Sequence, residues 1–144
     1  MIIMTELQKV KHIARGVRKA FEEIEKGDRG PFRVRNEMLA GYCGRASTQL
    51  YLACRRAGIR VGLKEGRGHM FNTYKGRIID VTATQFGERN KVVVRKIPES
   101  KHNLPEYHRQ IGSHRSAKSG VQVYGAIEDI RKDGKIVRKH LKGG

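Results

Sequence analysis

A cysteine, a histidine and an aspartate follow one another at Cys43, His69 and Asp80, each inside a short string that suits a chemical role. The strings are Gly41-Tyr42-Cys43-Gly44-Arg45-Ala46-Ser47, Gly68-His69-Met70-Phe71 and Ile78-Ile79-Asp80-Val81-Thr82-Ala83-Thr84-Gln85-Phe86. A thiol, an imidazole and a carboxylate can act as nucleophile, as its base and as the group that orients the base. A free thiol is mostly protonated near neutral pH, so the sulfur needs something that favours the thiolate. The partial positive charge of a helix N-terminus is one such aid, and an imidazolium partner is another. Gly41 and Gly44 leave room for a substrate carbonyl to reach the sulfur. The backbone amide of Cys43, in the first turn of a helix, has no acceptor within that helix and is the first candidate to hold an oxyanion; Gln85 and Tyr42 are polar side-chain candidates. These residues predict a cysteine-dependent acyl-transfer enzyme.

Two elements must meet to bring the three groups together. Ala46, Leu50, Ala53, Cys54 and Ala57 recur at helical spacing behind Cys43, and Gly58 is placed to end that helix in a left-handed cap. Cys54 falls on the apolar stripe and reads as a small core residue. The other element is a hairpin. With Lys75-Gly76 as a two-residue loop, Tyr74 faces Arg77 and every cross-strand pair sums to 151, so Phe71 lies opposite Asp80 and His69 opposite Thr82. His69 and Asp80 then share one face as diagonal neighbours. Asp80 interrupts the apolar run Ile78-Ile79-Asp80-Val81, where a buried acid needs a partner, and His69 is the natural one.

Around this pair, Thr5-Glu6-Leu7-Gln8 forms a capping box, and Leu7, Val10, Ile13, Ala14, Val17, Phe21 and Ile24 extend an amphipathic helix to Gly27. Gly16 weakens its middle, and Lys9, Lys11, Arg15, Arg18 and Lys19 are expected on its solvent side. A strand is expected over Ile59–Leu63 and another over Lys91–Arg95. Residues 98–120 are polar and turn-rich, a helix is expected over Val121–Arg131 before Asp133-Gly134, and Lys135–Leu141 suits helix or strand.

The order of a cysteine at a helix start, then a histidine and an aspartate on adjacent antiparallel strands, resembles the transglutaminase-like branch of the papain-like cysteine peptidase superfamily. The resemblance spans Gly41–Gly87, about a third of the chain. It implies an α+β fold in which the nucleophile helix packs on a small antiparallel sheet, here with a long N-terminal helix added. It also implies thioester chemistry, with Cys43, His69 and Asp80 catalytic and peptidase or protein-glutamine deamidase activity ahead of cross-linking. Many relatives place a tryptophan in the oxyanion environment, and this chain has none, which leaves the second oxyanion donor unassigned and disfavours cross-linking.

The 144 residues suit one domain, with 41–87 as the chemical core and 88–144 as a basic C-terminal part. Two cysteines eleven positions apart on one helix lie too far apart for a disulfide. No thiolate zinc motif exists, and His102, His108 and His114 are spaced for neither a helical face nor a compact metal site, so neither metal nor cofactor is expected. The N-terminus lacks a signal-peptide core, which predicts a cytoplasmic protein without a membrane span. The net charge of +17 is spread evenly, +9 over residues 1–86 and +8 over 87–144. Such charge favours an acidic protein or peptide substrate, with nucleic acid as a secondary partner. The alternative function is a non-enzymatic nucleic-acid-binding basic domain, although the nine aromatic residues form no recognisable stacking motif.

Overall fold

The computed structural model of the chain describes residues 3–29, 39, 41–65, 69–96, 115–116 and 127–142. Helix α1 (Glu6–Arg29) begins where the capping box requires. The Thr5 amide donates to Gln8 Oε1 at 2.8 Å and the Gln8 amide to Thr5 Oγ1 at 3.1 Å, each satisfying a donor that the first turn leaves without an intrahelical acceptor. Its stripe from Val10 to Ile24 is buried as the spacing requires. Arg18 departs from expectation. It is 2 % exposed, and its Nη1 donates to the Val81 carbonyl at 2.9 Å and to Thr84 Oγ1 at 2.8 Å, while Nε pairs with Glu22 at 3.3 Å. A guanidinium has enough donors to be buried when each finds an oxygen, which the spacing alone does not reveal.

Helix α2 (Cys43–Arg56) starts at the cysteine and ends in the expected left-handed cap. Gly58 has φ +76°, its amide donates to the Arg55 carbonyl, and the Ile59 amide donates to that of Cys54, the paired bonds of a Schellman ending. Ala57 is exposed at this cap rather than buried with the stripe. The burial of α2 is also wider than a stripe, because Gly44, Ser47, Thr48 and Gln49 are buried together with Ala46, Leu50, Ala53 and Cys54.

The sheet holds β1 (Gly62–Glu65), β2 (Met70–Tyr74), β3 (Arg77–Asp80), β4 (Val93–Lys96) and a two-residue β5 (Arg115–Ser116), in the order β4-β3-β2-β1-β5 with antiparallel neighbours. The β2–β3 register is Asn72 with Ile79, Thr73 with Ile78 and Tyr74 with Arg77, each summing to 151. Lys75 and Gly76 both have positive φ, 44° and 75°, as a type I′ turn demands. β1 is shifted from the expected Ile59–Leu63, because Ile59 and Val61 join the core without pairing and Lys64-Glu65 pair instead. β5 was not anticipated in the polar stretch that contains it. β4 begins two residues later than expected.

Helix α3 (Ile127–Leu141) runs without a break through Asp133-Gly134, where a helix end was expected. The reason is tertiary. Asp133 takes a two-pronged bond from Arg45 of α2, at 3.0 and 2.8 Å, and a Cβ on Gly134 would stand 3.4 Å from Gln49 Oε1 of the same helix. The main core lies between the three helices and one sheet face, that of Tyr74 and Ile79. Phe71, Ile78, Ala83 and Val93 form a smaller core on the other face, with Phe86 against it. The architecture is thus α+β with an antiparallel sheet. No helix among the described residues is long and apolar enough to cross a membrane. His102, His108 and His114, and residues 121–126 of the expected helix, lie outside the described residues.

Candidate active site

The strand alternation that separates the two cores also sets His69 and Asp80 on one face. Asn72, Tyr74 and Ile79 point to the helices, so His69 and Asp80 fall on the opposite face with Phe71 and Ile78. His69 Nε2 and Asp80 Oδ2 are 2.5 Å apart, with the residues 2 % and 1 % exposed. The other carboxylate oxygen, Oδ1, accepts the Thr82 amide at 2.9 Å and is 3.4 Å from Thr82 Oγ1, so the carboxylate is fixed from both ends. Phe71 lies parallel to the imidazole at 6.1 Å and Phe86 meets it edge-on at 4.7 Å. These rings keep water from a pair that attracts more strongly in a low-dielectric setting.

With Nε2 engaged by Asp80, Nδ1 is the ring nitrogen left for the thiol. The half-buried Cys43 thiol lies close enough to the His69 side chain and to the Met70 backbone N–H for both to act on its ionisation. Burial is the largest influence on this thiol and opposes ionisation, but the hydrogen bonds from His69 and Met70 and the imidazolium charge outweigh it, and the pKa falls below the ordinary 9.0. His69 shifts the other way. Burial opposes its charge, yet the hydrogen bonds to Asp80 and Cys43 and their negative charge push it up to about 9. Both shifts favour a thiolate–imidazolium pair. Cys54, buried with no such partner, is pushed up to about 12 by desolvation, as its place on the core stripe predicts.

The chain also fixes the helix that carries the sulfur. Asn72 Nδ2 donates to the Ser47 carbonyl of α2 at 3.1 Å and to the Gly62 carbonyl of β1 at 3.2 Å, which ties the helix that carries Cys43 to the strand that follows His69. Arg45 stacks over Tyr42 at 5.3 Å and joins Asp133, so the start of α2 is held by α3 as well. Tyr42, at the N-cap, makes no side-chain cap, which leaves the amides of the first turn, that of Cys43 first, without an acceptor from the cap side chain or the helix.

The two side-chain oxyanion candidates are otherwise engaged. Gln85 Nε2 donates to the Thr82 carbonyl at 3.1 Å and to Thr82 Oγ1 at 3.2 Å, and Tyr42 Oη donates to Asp28 Oδ2 at 2.7 Å. Either would have to surrender these bonds to reach an oxyanion. The residues that sequence reasoning missed are Phe71, Phe86, Asn72 and Arg18. Only Phe71 carried a signal, two positions from His69 and therefore on its face.

A cavity of about 730 Å³ is lined by Gly41, Cys43 and Gly44 and by residues of α1 and α3; His69 and Asp80 are not part of its lining. Its charged lining comprises the carboxylates of Glu23, Asp28, Asp129 and Asp133 and the cations of Arg45 and Lys132. No group of three metal-ligating side chains occurs among the described residues. No protein-family model, curated protein or solved structure matches the chain at a significant level.

Proposed function

We propose that the chain is a cysteine-dependent hydrolase or acyl transferase acting on amide bonds of a protein or peptide, with a core of the transglutaminase-like, papain-like kind. The observation that carries the reading is the buried His69–Asp80 pair at 2.5 Å set near a thiol that begins a helix, with Cys43 also in the lining of a cavity. Thiolate attack on the amide carbon forms the C–S bond and moves the carbonyl electron pair to oxygen, which the Cys43 amide can bind. The His69 imidazolium then gives its proton to the amine nitrogen as the C–N bond breaks, leaving a thioester. Water enters, His69 takes a proton from it, and the acid departs as the thiolate re-forms. Asp80 keeps the ring oriented and stabilises its charged form throughout.

A peptide nitrogen as leaving group makes the enzyme a peptidase, and ammonia from a glutamine side chain makes it a deamidase. The net charge of +17 favours an acidic protein as partner at long range. Close to the sulfur the cavity presents four carboxylates against two cations, so acidic residues of such a partner belong away from the reacting amide.

Alkylation tests the reading directly. Iodoacetamide should label Cys43 rapidly at about pH 6 while Cys54 stays protected, and His69→Ala should slow Cys43 by at least roughly tenfold, because an ordinary thiol is under one per cent ionised there. Equal, slow labelling of both thiols, unchanged by the substitution, would remove the basis for an enzyme.

A further inference from the structure

A second concavity, of about 490 Å³, lies between α1 and the chain that leads into β4, and it shares no lining residue with the cavity beside Cys43. Its lining carries five cationic side chains and one carboxylate, Glu22, a net +4. Glu22 is spoken for, with Arg18 at 3.3 Å and Lys91 at 2.9 Å. It therefore does not offset Lys11, Arg15 and Lys19, which make no ion pair or hydrogen bond among the described residues.

These three recur every four residues, so they stand in a row along one side of α1, about 6 Å apart and about 12 Å from end to end at 1.5 Å per residue. A row of this kind matches a row of anions rather than one. Across the concavity Lys91 and the Asn90 amide face the same space. No aromatic side chain lines it, so bases have nothing to stack on and only the backbone of a strand would be gripped.

We infer that this groove binds the phosphodiester backbone of a nucleic-acid strand without reading its sequence, at a site separate from the thiol. A linear polyphosphodiester places charges along a line as the helix does, whereas one phosphate would engage a single turn. Association through such contacts releases counterions and weakens steeply with salt.

Anisotropy of a labelled 20-nucleotide strand, titrated with the full chain between about 50 and 200 mM salt, tests the site. The triple variant Lys11→Gln, Arg15→Gln, Lys19→Gln should bind at least about tenfold more weakly at the lower salt and lose roughly 2 from the magnitude of the log–log salt slope, as expected for three phosphate contacts on a single strand. A control with equal charge loss at scattered exposed sites, Lys26→Gln, Arg60→Gln, Lys135→Gln, should change affinity by less than about threefold. DNA and RNA strands of equal length should bind alike, and Cys43→Ala should bind as the parent does, which keeps this result independent of the chemistry at Cys43. An equal loss in the control would mean diffuse charge and no groove site. Stronger competition from a multiply phosphorylated peptide of equal charge would assign the groove to a protein ligand and overturn the inference, and so would a tenfold preference between DNA and RNA. Unchanged iodoacetamide labelling of Cys43 in the triple variant would show that its fold is intact.

Discussion

At His69 a buried cation is made tolerable by two anions. Asp80 lies 2.5 Å from one ring nitrogen and the nearby Cys43 adds its negative charge, which is why the imidazolium survives to about 9 in spite of burial. If that proton is the one delivered to the leaving amine, activity should decline above about pH 9, and Asp80→Asn should move the decline down towards the ordinary 6.5 while lowering the rate by roughly 10²- to 10⁴-fold. A pH–rate profile of the two proteins, on whichever amide substrate is found first, decides this; an alkaline limb that stays in place would separate Asp80 from the function of the base. The His69–Asp80 pairing was legible beforehand, because a two-residue turn permits one register and the period of a strand then assigns the faces. The aromatic wall was only half legible. Phe71 follows from the same alternation, but Phe86 reaches the ring through the short 3-10 turn Ala83–Phe86, whose direction no periodicity encodes. The amide of Gln85 turns back onto Thr82 for the same reason.

Among the elements, α3 illustrates how packing can overrule a local signal. Asp133-Gly134 reads as a stop, yet the acid is 3 % exposed and paired with Arg45, and Gln49 of α2 donates to the Ile130 carbonyl at 2.8 Å, so α2 holds this part of the helix from outside. Arg45→Ala should leave a buried carboxylate without its guanidinium and lower stability by on the order of 2 kcal/mol, discounted because Arg45 is about a third exposed. Urea unfolding measures the loss, and Asp133→Asn in the same background should recover part of it. Gly16 repeats the lesson on α1, since a Cβ there would stand 2.5 Å from Leu141 Cδ2 of α3. Gly16→Ala alone should therefore gain little, because improved helix propensity is offset by the displaced leucine. In a Leu141→Ala background it should add about 1 kcal/mol, and equal gains in both backgrounds would show that the contact costs nothing. The start of α1 and the end of α2 were readable from capping residues, whose bonds are local. The shift of β1 was not, because its limits follow from the partners that β2 offers and not from its own composition.

For the molecule as a whole, two titrations of opposite sense meet at one place. The folded imidazole keeps its proton above the unfolded value of 6.5, so its contribution is complete below about pH 6.5 and is lost as pH rises towards 9; the folded thiol gives up its proton early, and its contribution is lost as pH falls through its lowered pKa. The two offset each other in the parent. In Cys43→Ala only the histidine side remains, with Asp80 still favouring the cation, so the thermal midpoint should fall more steeply than in the parent as pH rises above about 6.5. Parallel curves would contradict the paired charges. The base and its carboxylate sit eleven residues apart on one hairpin, whereas the sulfur joins them only when α2 docks through Asn72. An unfolded or newly made chain therefore holds an ordinary, mostly protonated thiol, and the lowered pKa of Cys43 exists only once α2 has docked beside the hairpin. Premature damage by oxidants or stray acyl donors is curtailed by that order of assembly, and the speed at which an electrophile captures Cys43 becomes a direct gauge of how much of a sample is native.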